Sequence, residues 1–274
     1  MYKLWNQMHW SYYCLFFSIL CIWILPTIFP SEVSDQWMHS PTWKNGLFFG
    51  TYYQQNLLVV VLQAAKQSLY LSITAIFFSL IIGIILSFLD FLDSTHKFIH
   101  ILLKIFVYFP RLFFLLIWCI ALGLHEPSQL KWNSITYLIL GLGISGGIFL
   151  SAQTQPEIEK INKSLFVYAA ESAGLSKIKI FFRHIMSNCL GFPFAAVKQI
   201  RDNLVVLSFL TFIGVVHLQP EDLGAFLCLL YNNPESFYQG WWILFFPCIM
   251  LVFLIWIWDT IAKQIYNRLS LKKN

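Results

Sequence analysis

The amino-acid sequence predicts an all-α integral membrane protein with six transmembrane helices. Only 11% of its 274 residues are charged, whereas a soluble domain typically has about 25% charged residues. Hydrophobic residues make up 58% of the chain, and a soluble fold of this length has too little interior to bury them. The six cysteines form no CxxC pair, which argues against a zinc site. Lipid is therefore the expected solvent.

Six apolar runs are long enough to form spans, because a helix needs roughly 20 mainly apolar residues to cross a bilayer. They cover residues 12–29, 69–89, 105–123, 134–151, 192–216 and 241–261. The first run ends in Pro and Phe rather than in small residues, so we expect a retained span and not a cleaved signal peptide. The stretch "NLLVVVLQAAKQ" before the second span is a candidate for a separate interfacial helix. One membrane domain is predicted to cover residues 1–274.

Basic residues predict the orientation of the spans. With the N-terminus inside, the inner segments hold twelve Lys and Arg residues and the outer segments hold three. Inner loops of multi-pass proteins carry such an excess of positive charge. Both termini are therefore predicted to be cytoplasmic, as is the segment 153–191 between the fourth and fifth spans.

This cytoplasmic segment is polar and has strong helix signals. Thr154 is followed three residues later by Glu157, which is the pattern of a capping box, and Pro156 suits a first helical turn. Together they predict a helix from about 155 to 172.

A glycine then predicts a turn into a second helix. Gly174 can adopt the left-handed conformation that ends a helix, and Ser176 can cap the next one. The apolar face of this second helix would comprise Ile178, Phe181, Phe182 and Ile185. The pair is either a solvated loop or a docking element that enters a groove on a cytoplasmic partner. An exposed Phe pair and the small Ala169–Ala170 step favour docking.

The segment resembles the cytoplasmic loop of the permease subunits of ABC importers. That loop has the pattern EAA, three residues, Gly, nine residues and I-x-L-P, and Ala169, Ala170 and Gly174 are in register with it. Tyr168 stands where the family has Glu, and Met and Ser at 186–187 replace its Leu and Pro.

Further stretches resemble the dipeptide/oligopeptide/nickel branch of this family. "IFFRHIMSN" is similar to its "FRHxLPN", with His184 as the branch marker, and "LFFGT" is similar to the start of its "PLGTDxxG". "YFPRLFFLLIWCIALG" resembles its "AFPSLLLA…LG" third span, and "LSFLTFIGVVHLQPEDLGAFL" resembles its "LSFLGLGVQPPxPEWGxML". The order and spacing agree from about residue 47 to the C-terminus. The chain is thus identified as a divergent member.

The resemblance implies that the cytoplasmic loop forms coupling helices in a cleft of an ATP-binding subunit. The coupling residues would be Tyr168, Ala169, Ala170, Glu171, Gly174, Phe181, Arg183 and His184. The implied partners are two ATP-binding cassette subunits, a second homologous permease and an extracytoplasmic solute-binding protein, in a bacterial inner membrane. The chain has no GxxxxGK[ST] loop, so ATP and Mg would be used by the partner and this subunit would be non-catalytic. Membrane lipid is an expected partner, and nucleic acid is not.

The solute is expected to be a short peptide, with nickel chelates and polyamines as alternatives in the same family. The resemblance does not choose among them, because in this architecture the binding protein largely selects the solute.

Three charged residues lie within the fifth predicted span. Lys198 and Asp202 are four residues apart, with Arg201 on the same helical face. Lys198 is close enough to the inner end to reach the membrane surface. A charge deep in a bilayer is expected to pair or to face water. The face therefore locks the helix with a salt bridge, or precedes a span that starts later than residue 192, or lines the translocation path, and the last is our hypothesis.

Two competing functions have weaker signals. "GLGISGG" contains the GxSG pattern of an intramembrane serine protease centred on Ser145, but the last predicted span contains no His to activate it. Gly143 and Gly147 also form GxxxG, which favours helix packing instead. A secondary transporter is the other competing function.

"DSTHKFIH" could place Asp93, His96 and His100 around a metal, but interfacial caps at a helix end are the favoured interpretation.

Overall fold

The computed structural model describes residues 24, 26–28, 40–42, 49–52, 55–92, 101, 104–106, 110–124, 132–189, 191–216, 218, 222–232 and 240–271. The main helices are α1 Leu57–Leu92, α2 Arg111–Ala121, α3 Trp132–Asn162, α4 Leu165–Ser172, α5 Lys177–Asn188, α6 Gly191–Phe212, α7 Leu223–Asn232 and α8 Trp241–Leu271. Two short antiparallel strands, β1 Thr51–Tyr52 and β2 Gln55–Asn56, precede α1. The predicted all-α class is confirmed.

Three of these helices, α1, α3 and α8, are long and apolar enough to cross a membrane by themselves. The α5–α6 pair meets the same criterion only together, with a bend of 65° between its two helices. α2 has 11 residues, shorter than a full span. Most of the first predicted span, 12–29, lies outside the described residues. A multi-pass helical protein is thus established, and the count of six spans stays a prediction.

The second span begins twelve residues earlier than its apolar run predicted. The expected interfacial helix and the span form one continuous helix, α1, of 36 residues. The Asn56 side chain caps its start, because Asn56 Oδ1 accepts a hydrogen bond from the Leu58 N–H at 3.1 Å. No Gly or Pro lies between Leu57 and Leu69, and Leu57, Val61 and Ala65 are buried along this part of the helix. Packing therefore continues the helix past the polar Gln and Lys residues.

The predicted capping box in the fourth connection is wrong. α3 runs without a break from Trp132 to Asn162, so Thr154 and Pro156 lie inside it. The Thr154 hydroxyl bonds back to the Leu150 carbonyl at 3.0 Å instead of capping a helix start. Glu157 Oε2 accepts the Gly191 N–H at 2.6 Å, so it caps the start of α6. A partner 34 residues away along the chain thus replaces the local one.

Glycines allow α1 and α3 to pack closely in the centre of the fold. A Cβ at Gly143 would lie 2.7 Å from Phe78 Cβ, and a Cβ at Gly147 would lie 2.7 Å from Ile82 Cβ. On the α1 side, a Cβ at Gly83 would lie 2.7 Å from Leu150 Cδ2. The packing role predicted for the GxxxG motif is confirmed.

Candidate functional site

The connection between α3 and α6 contains the predicted pair of helices, α4 and α5. Gly174, between them, has a φ of +76°, in the left-handed region. Nothing lies within 4 Å of the place where its Cβ would be, so the backbone conformation and not crowding favours glycine here. Ser176 precedes α5 with an extended backbone, but its side chain makes no capping hydrogen bond. The helix–glycine–helix prediction is confirmed, although its first helix starts at Leu165.

The predicted apolar face of α5 is divided between the surface and the interior. Residues Ile180–Ile185 form a π-helix, in which the turn is wider than in an α-helix. The wider turn brings Ile180 and Ile185 to the same buried side. Ile178 is 58% exposed and Phe182 is 52% exposed, whereas Phe181 and Ile185 are buried, so the four residues do not form the single face that was predicted.

The Phe181 side chain of α5 is buried and is not part of the exposed surface of this helix. It is fully buried, and its ring centroid lies 5.2 Å from that of Phe88 and 5.5 Å from that of Phe91 in α1. The prediction of an exposed Phe pair is therefore wrong for Phe181 and right for Phe182. Phe181 therefore packs α5 against α1 and is not exposed to a partner.

The other predicted coupling residues divide between surface and interior. Tyr168, Ala169, Glu171, Gly174 and Arg183 are exposed, Ala170 is buried and His184 is half-buried. The His184 ring lies 6.5 Å from that of Phe166, so it contributes to the contact between α4 and α5.

The two helices expose a set of large apolar side chains. We call this set the apolar surface of α4 and α5: Leu165, Phe166, Tyr168, Leu175, Ile178 and Phe182. Charged residues of the same two helices, such as Glu171 and Arg183, are also exposed. Exposed apolar side chains of this number on a polar connection are characteristic of a surface that another protein covers.

The charges predicted in the fifth span form an ion-pair network with α8. Arg201 Nη2 lies 2.7 Å from Asp202 Oδ1, and Arg201 Nη1 pairs with Asp259 of α8. Lys263 Nζ lies 2.6 Å from the other oxygen of Asp259. Within the part of the chain that the structure describes, Lys198 has no carboxylate partner and is half-buried. Sequence reasoning missed Asp259, although an Asp inside the run "LIWIWDTIA" was a signal for a partner.

A second polar group joins α1, α2, α3 and α6 through Arg111. Arg111 Nε donates to Ser145 Oγ at 3.1 Å, and Nη2 donates to the Leu142 carbonyl at 3.2 Å and to Asn203 Oδ1 at 2.5 Å. Asn203 Nδ2 in turn donates to the Ser72 carbonyl at 3.3 Å. Arg111 was not among the predicted site residues, because a single Arg next to a proline resembled the end of a span.

These contacts do not support the protease alternative. Ser145 is buried, its hydroxyl bonds to the Leu142 carbonyl at 3.2 Å, and its oxygen faces the Arg111 guanidinium. Neither partner can take the hydroxyl proton as a general base would. The candidate metal residues Asp93, His96 and His100 lie outside the described residues. Within the described ranges, no group of His, Cys, Asp or Glu side chains is arranged to hold a metal ion.

A buried carboxylate fixes the segment between α6 and α7. Asp222 is fully buried, its Oδ1 accepts the Ala225 N–H at 3.0 Å and its Oδ2 accepts the Thr211 hydroxyl at 3.1 Å. The next residue, Leu223, donates its N–H to Ser68 Oγ of α1 at 3.2 Å. Burial raises the pKa of Asp222 to about 6. The stretch that resembled "PEWGxML" is thus packed into the helices.

Comparison with known proteins finds permeases. The chain is 24% identical over 266 residues to the oligopeptide transport system permease protein OppC of Haemophilus influenzae. This alignment covers 94% of this chain and 82% of that protein. It is 25% identical over 172 residues to OppC of Salmonella typhimurium. This second alignment covers 62% of this chain and 53% of the relative. No protein-family model matches the chain.

Two solved structures share the fold. The inward-facing MetNI methionine ABC transporter superposes with a TM-score of 0.59 at 15% identity, covering 77% of this chain and 96% of the other. An amino acid ABC transporter crystallised with histidines superposes with a TM-score of 0.52 at 16% identity, covering 77% and 92%. Sequence and fold therefore converge on one class of protein: the chain is similar in sequence to oligopeptide permeases, and its fold is shared with ABC transporters.

Proposed function

We propose that the chain is the non-catalytic translocation subunit of an ATP-driven transporter that moves short peptides, or a similar small solute, across a bacterial inner membrane. The observation that carries the proposal is the apolar surface of α4 and α5, which stands on a helix pair anchored to the membrane helices from below. The naming of the relatives as oligopeptide permeases supports peptides as the solute.

The anchoring provides a route for force between a docked motor and the membrane helices. Phe181 joins α5 to α1 through Phe88 and Phe91, and Glu157 joins the end of α3 to the start of α6. An ATPase that shifts α4 and α5 would therefore move α1 and α6 directly. Packed helices respond to such a shift by switching between discrete arrangements.

The proposal assigns the partners that the fold needs. Two ATP-binding cassette subunits would cover the apolar surface of α4 and α5 in this chain and in a second, homologous permease, and would use the ATP and Mg. An extracytoplasmic binding protein would deliver the solute from the other side. In this arrangement both chain termini and the α4–α5 connection are cytoplasmic, and the remaining contacts are with lipid.

Co-purification tests this assembly. The tagged chain is extracted from its host in mild detergent, and its partners are identified by mass spectrometry. We expect a P-loop ATPase and a second permease. Leu165→Asp or Ile178→Asp should lose the ATPase and keep the permease, because each puts a charge into the apolar surface.

A matched control is available beside Leu165. Lys163→Asp introduces the same carboxylate two residues away at an exposed position outside the apolar surface, and it should keep both partners. Recovery of the chain without an ATPase, or equal ATPase recovery with all three variants, would contradict the proposal.

A further inference from the structure

Arg111 brings an uncompensated positive charge into the membrane helices. Its guanidinium is held by a hydroxyl, a backbone carbonyl and an amide oxygen, all of them neutral. Among the described residues, no carboxylate forms an ion pair with it. Asp202 interacts with Arg111 electrostatically, but its own ion pair is with Arg201.

The group lies deep in the membrane region. Ser145 and Asn203 lie about 18–20 Å along α3 and α6 from the starts of these helices, at 1.5 Å per residue. In the predicted topology the two helices start at opposite faces of the membrane, so the guanidinium is near the bilayer centre. An unpaired charge at this depth is unfavourable in a resting protein and is characteristic of a functional residue.

The surrounding charges leave a positive excess. Arg201 and Lys263 neutralise Asp202 and Asp259 on α6 and α8. Among the residues of α2, α6 and α8 whose side chains the structure describes, Lys198 and Arg111 have no carboxylate partner. A positive excess in a water-poor channel attracts an anionic group and repels a polyamine.

The guanidinium is oriented to receive a ligand. An arginine has five N–H donors in a rigid plane, and the three hydrogen bonds of Arg111 use only Nε and Nη2. Nη1 makes no hydrogen bond to any residue that the structure describes. Ser145 and Asn203 are buried, and Arg111 as a whole residue is half-buried. The three bonds therefore fix the plane and leave Nη1 without a hydrogen-bond partner among the described residues. Carboxylates are preferred partners of such a fork.

We propose that Arg111 is a substrate-binding residue that receives the carboxylate of the transported solute as it crosses the membrane. This inference rests on the proposed function and narrows its solute class to molecules with a free carboxylate, such as peptides with an unmodified C-terminus. The third-span pattern that the chain resembles has Ser where this chain has Arg111.

Transport of two matched peptides tests the site. The complete transporter is reconstituted in liposomes with its binding protein, and uptake of labelled trialanine is compared with uptake of trialanine amide, which lacks only the carboxylate charge. We expect the wild-type complex to favour trialanine by roughly tenfold or more, the effect of one hydrogen bond to a charged group. Arg111→Gln should bring the ratio of the two rates close to one, and the binding protein is the same in both measurements.

A second variant serves if Arg111→Gln does not assemble. Asn203→Asp keeps the arginine and places a carboxylate where Asn203 Oδ1 now accepts from Nη2, so it neutralises the guanidinium from within. It should also abolish the preference for trialanine. Lys104→Gln removes a positive charge at an exposed position N-terminal to α2 and should leave the ratio unchanged.

The outcomes separate the two proposals. If the wild-type complex carries neither peptide, the proposed function fails. If it carries both equally, or if Asn203→Asp or an assembled Arg111→Gln variant slows both peptides by the same factor, peptide transport stands, and Arg111 is a structural residue.

Discussion

Phe181 of the connecting helix α5 packs its buried ring 5.2 Å from that of Phe88 in the membrane helix α1. This contact joins the surface that a motor would bind to the helices that would have to move. In the proposed assembly, binding a partner and transmitting its motion would depend on different residues, which the following substitutions distinguish.

Phe181→Ala should uncouple the ATPase without releasing it. The substitution leaves a cavity between α5 and α1, and truncating a buried Phe destabilises a protein by about 3–5 kcal/mol. We expect a lower melting temperature and ATP hydrolysis that no longer drives uptake. The neighbouring Phe182→Ala removes a ring that is 52% exposed and should lower the melting temperature much less. Equal melting temperatures for the two variants would refute the anchoring role of Phe181.

Asp202→Ala should impair transport at unchanged expression. Removal of the carboxylate leaves Arg201 with Asp259 alone and increases the positive excess near Arg111. We expect uptake to fall by roughly tenfold, which corresponds to about 1.4 kcal/mol in the barrier. Lys263→Gln, whose side chain is largely exposed, is the control and should have a smaller effect. Full transport by Asp202→Ala would show that this face of α6 only locks the helix.

Gly146→Ala should disturb the contact between α3 and α6. A Cβ at this position would lie 1.7 Å from Gln199 Nε2 and 2.4 Å from Ser79 Oγ. Overpacking of this kind typically costs about 1–3 kcal/mol, measured as a fall in melting temperature. Adding Gln199→Ala removes the closest atom and should restore part of the lost stability. Additive effects of the two changes would mean that the glycine is not required by Gln199.

Asp222 should make stability depend on pH between about 4 and 6. Its pKa in the folded protein is raised to about 6 by burial, whereas an unfolded Asp has a pKa of about 3.9. The folded state therefore binds the proton more tightly, so this contribution is present in full below pH 4 and is lost as the pH rises to 6. The difference corresponds to about 3 kcal/mol.

Melting curves of the wild type and Asp222→Asn at pH 4, 5, 6 and 7 measure this contribution. The amide cannot titrate, and it can still accept the Ala225 N–H while donating to the Thr211 hydroxyl. The melting temperature of the wild type should fall relative to that of the variant across this window. A constant difference between the two would show that Asp222 does not titrate there.

Several features of the site followed from local patterns. The glycine turn at Gly174 was predictable because a left-handed residue after a helical run is a local requirement of the backbone. The packing of Gly143 and Gly147 was predictable because only small residues let two helices approach so closely. The predicted location of Phe181 was wrong, because an α-helical period cannot anticipate a π-helix whose cause is the packing of α5 on α1.

The chain alone decides which stretches cross lipid, because each must be about 20 apolar residues long and must satisfy its own backbone hydrogen bonds. It also decides where the connection between α4 and α5 turns. Only the folded arrangement decides what charged and capping residues do, because their partners are distant in sequence: Glu157 meets Gly191, Arg201 meets Asp259, and Arg111 meets Asn203. A charge inside a membrane is stabilised by whatever group the fold brings to it, and no local pattern specifies that group.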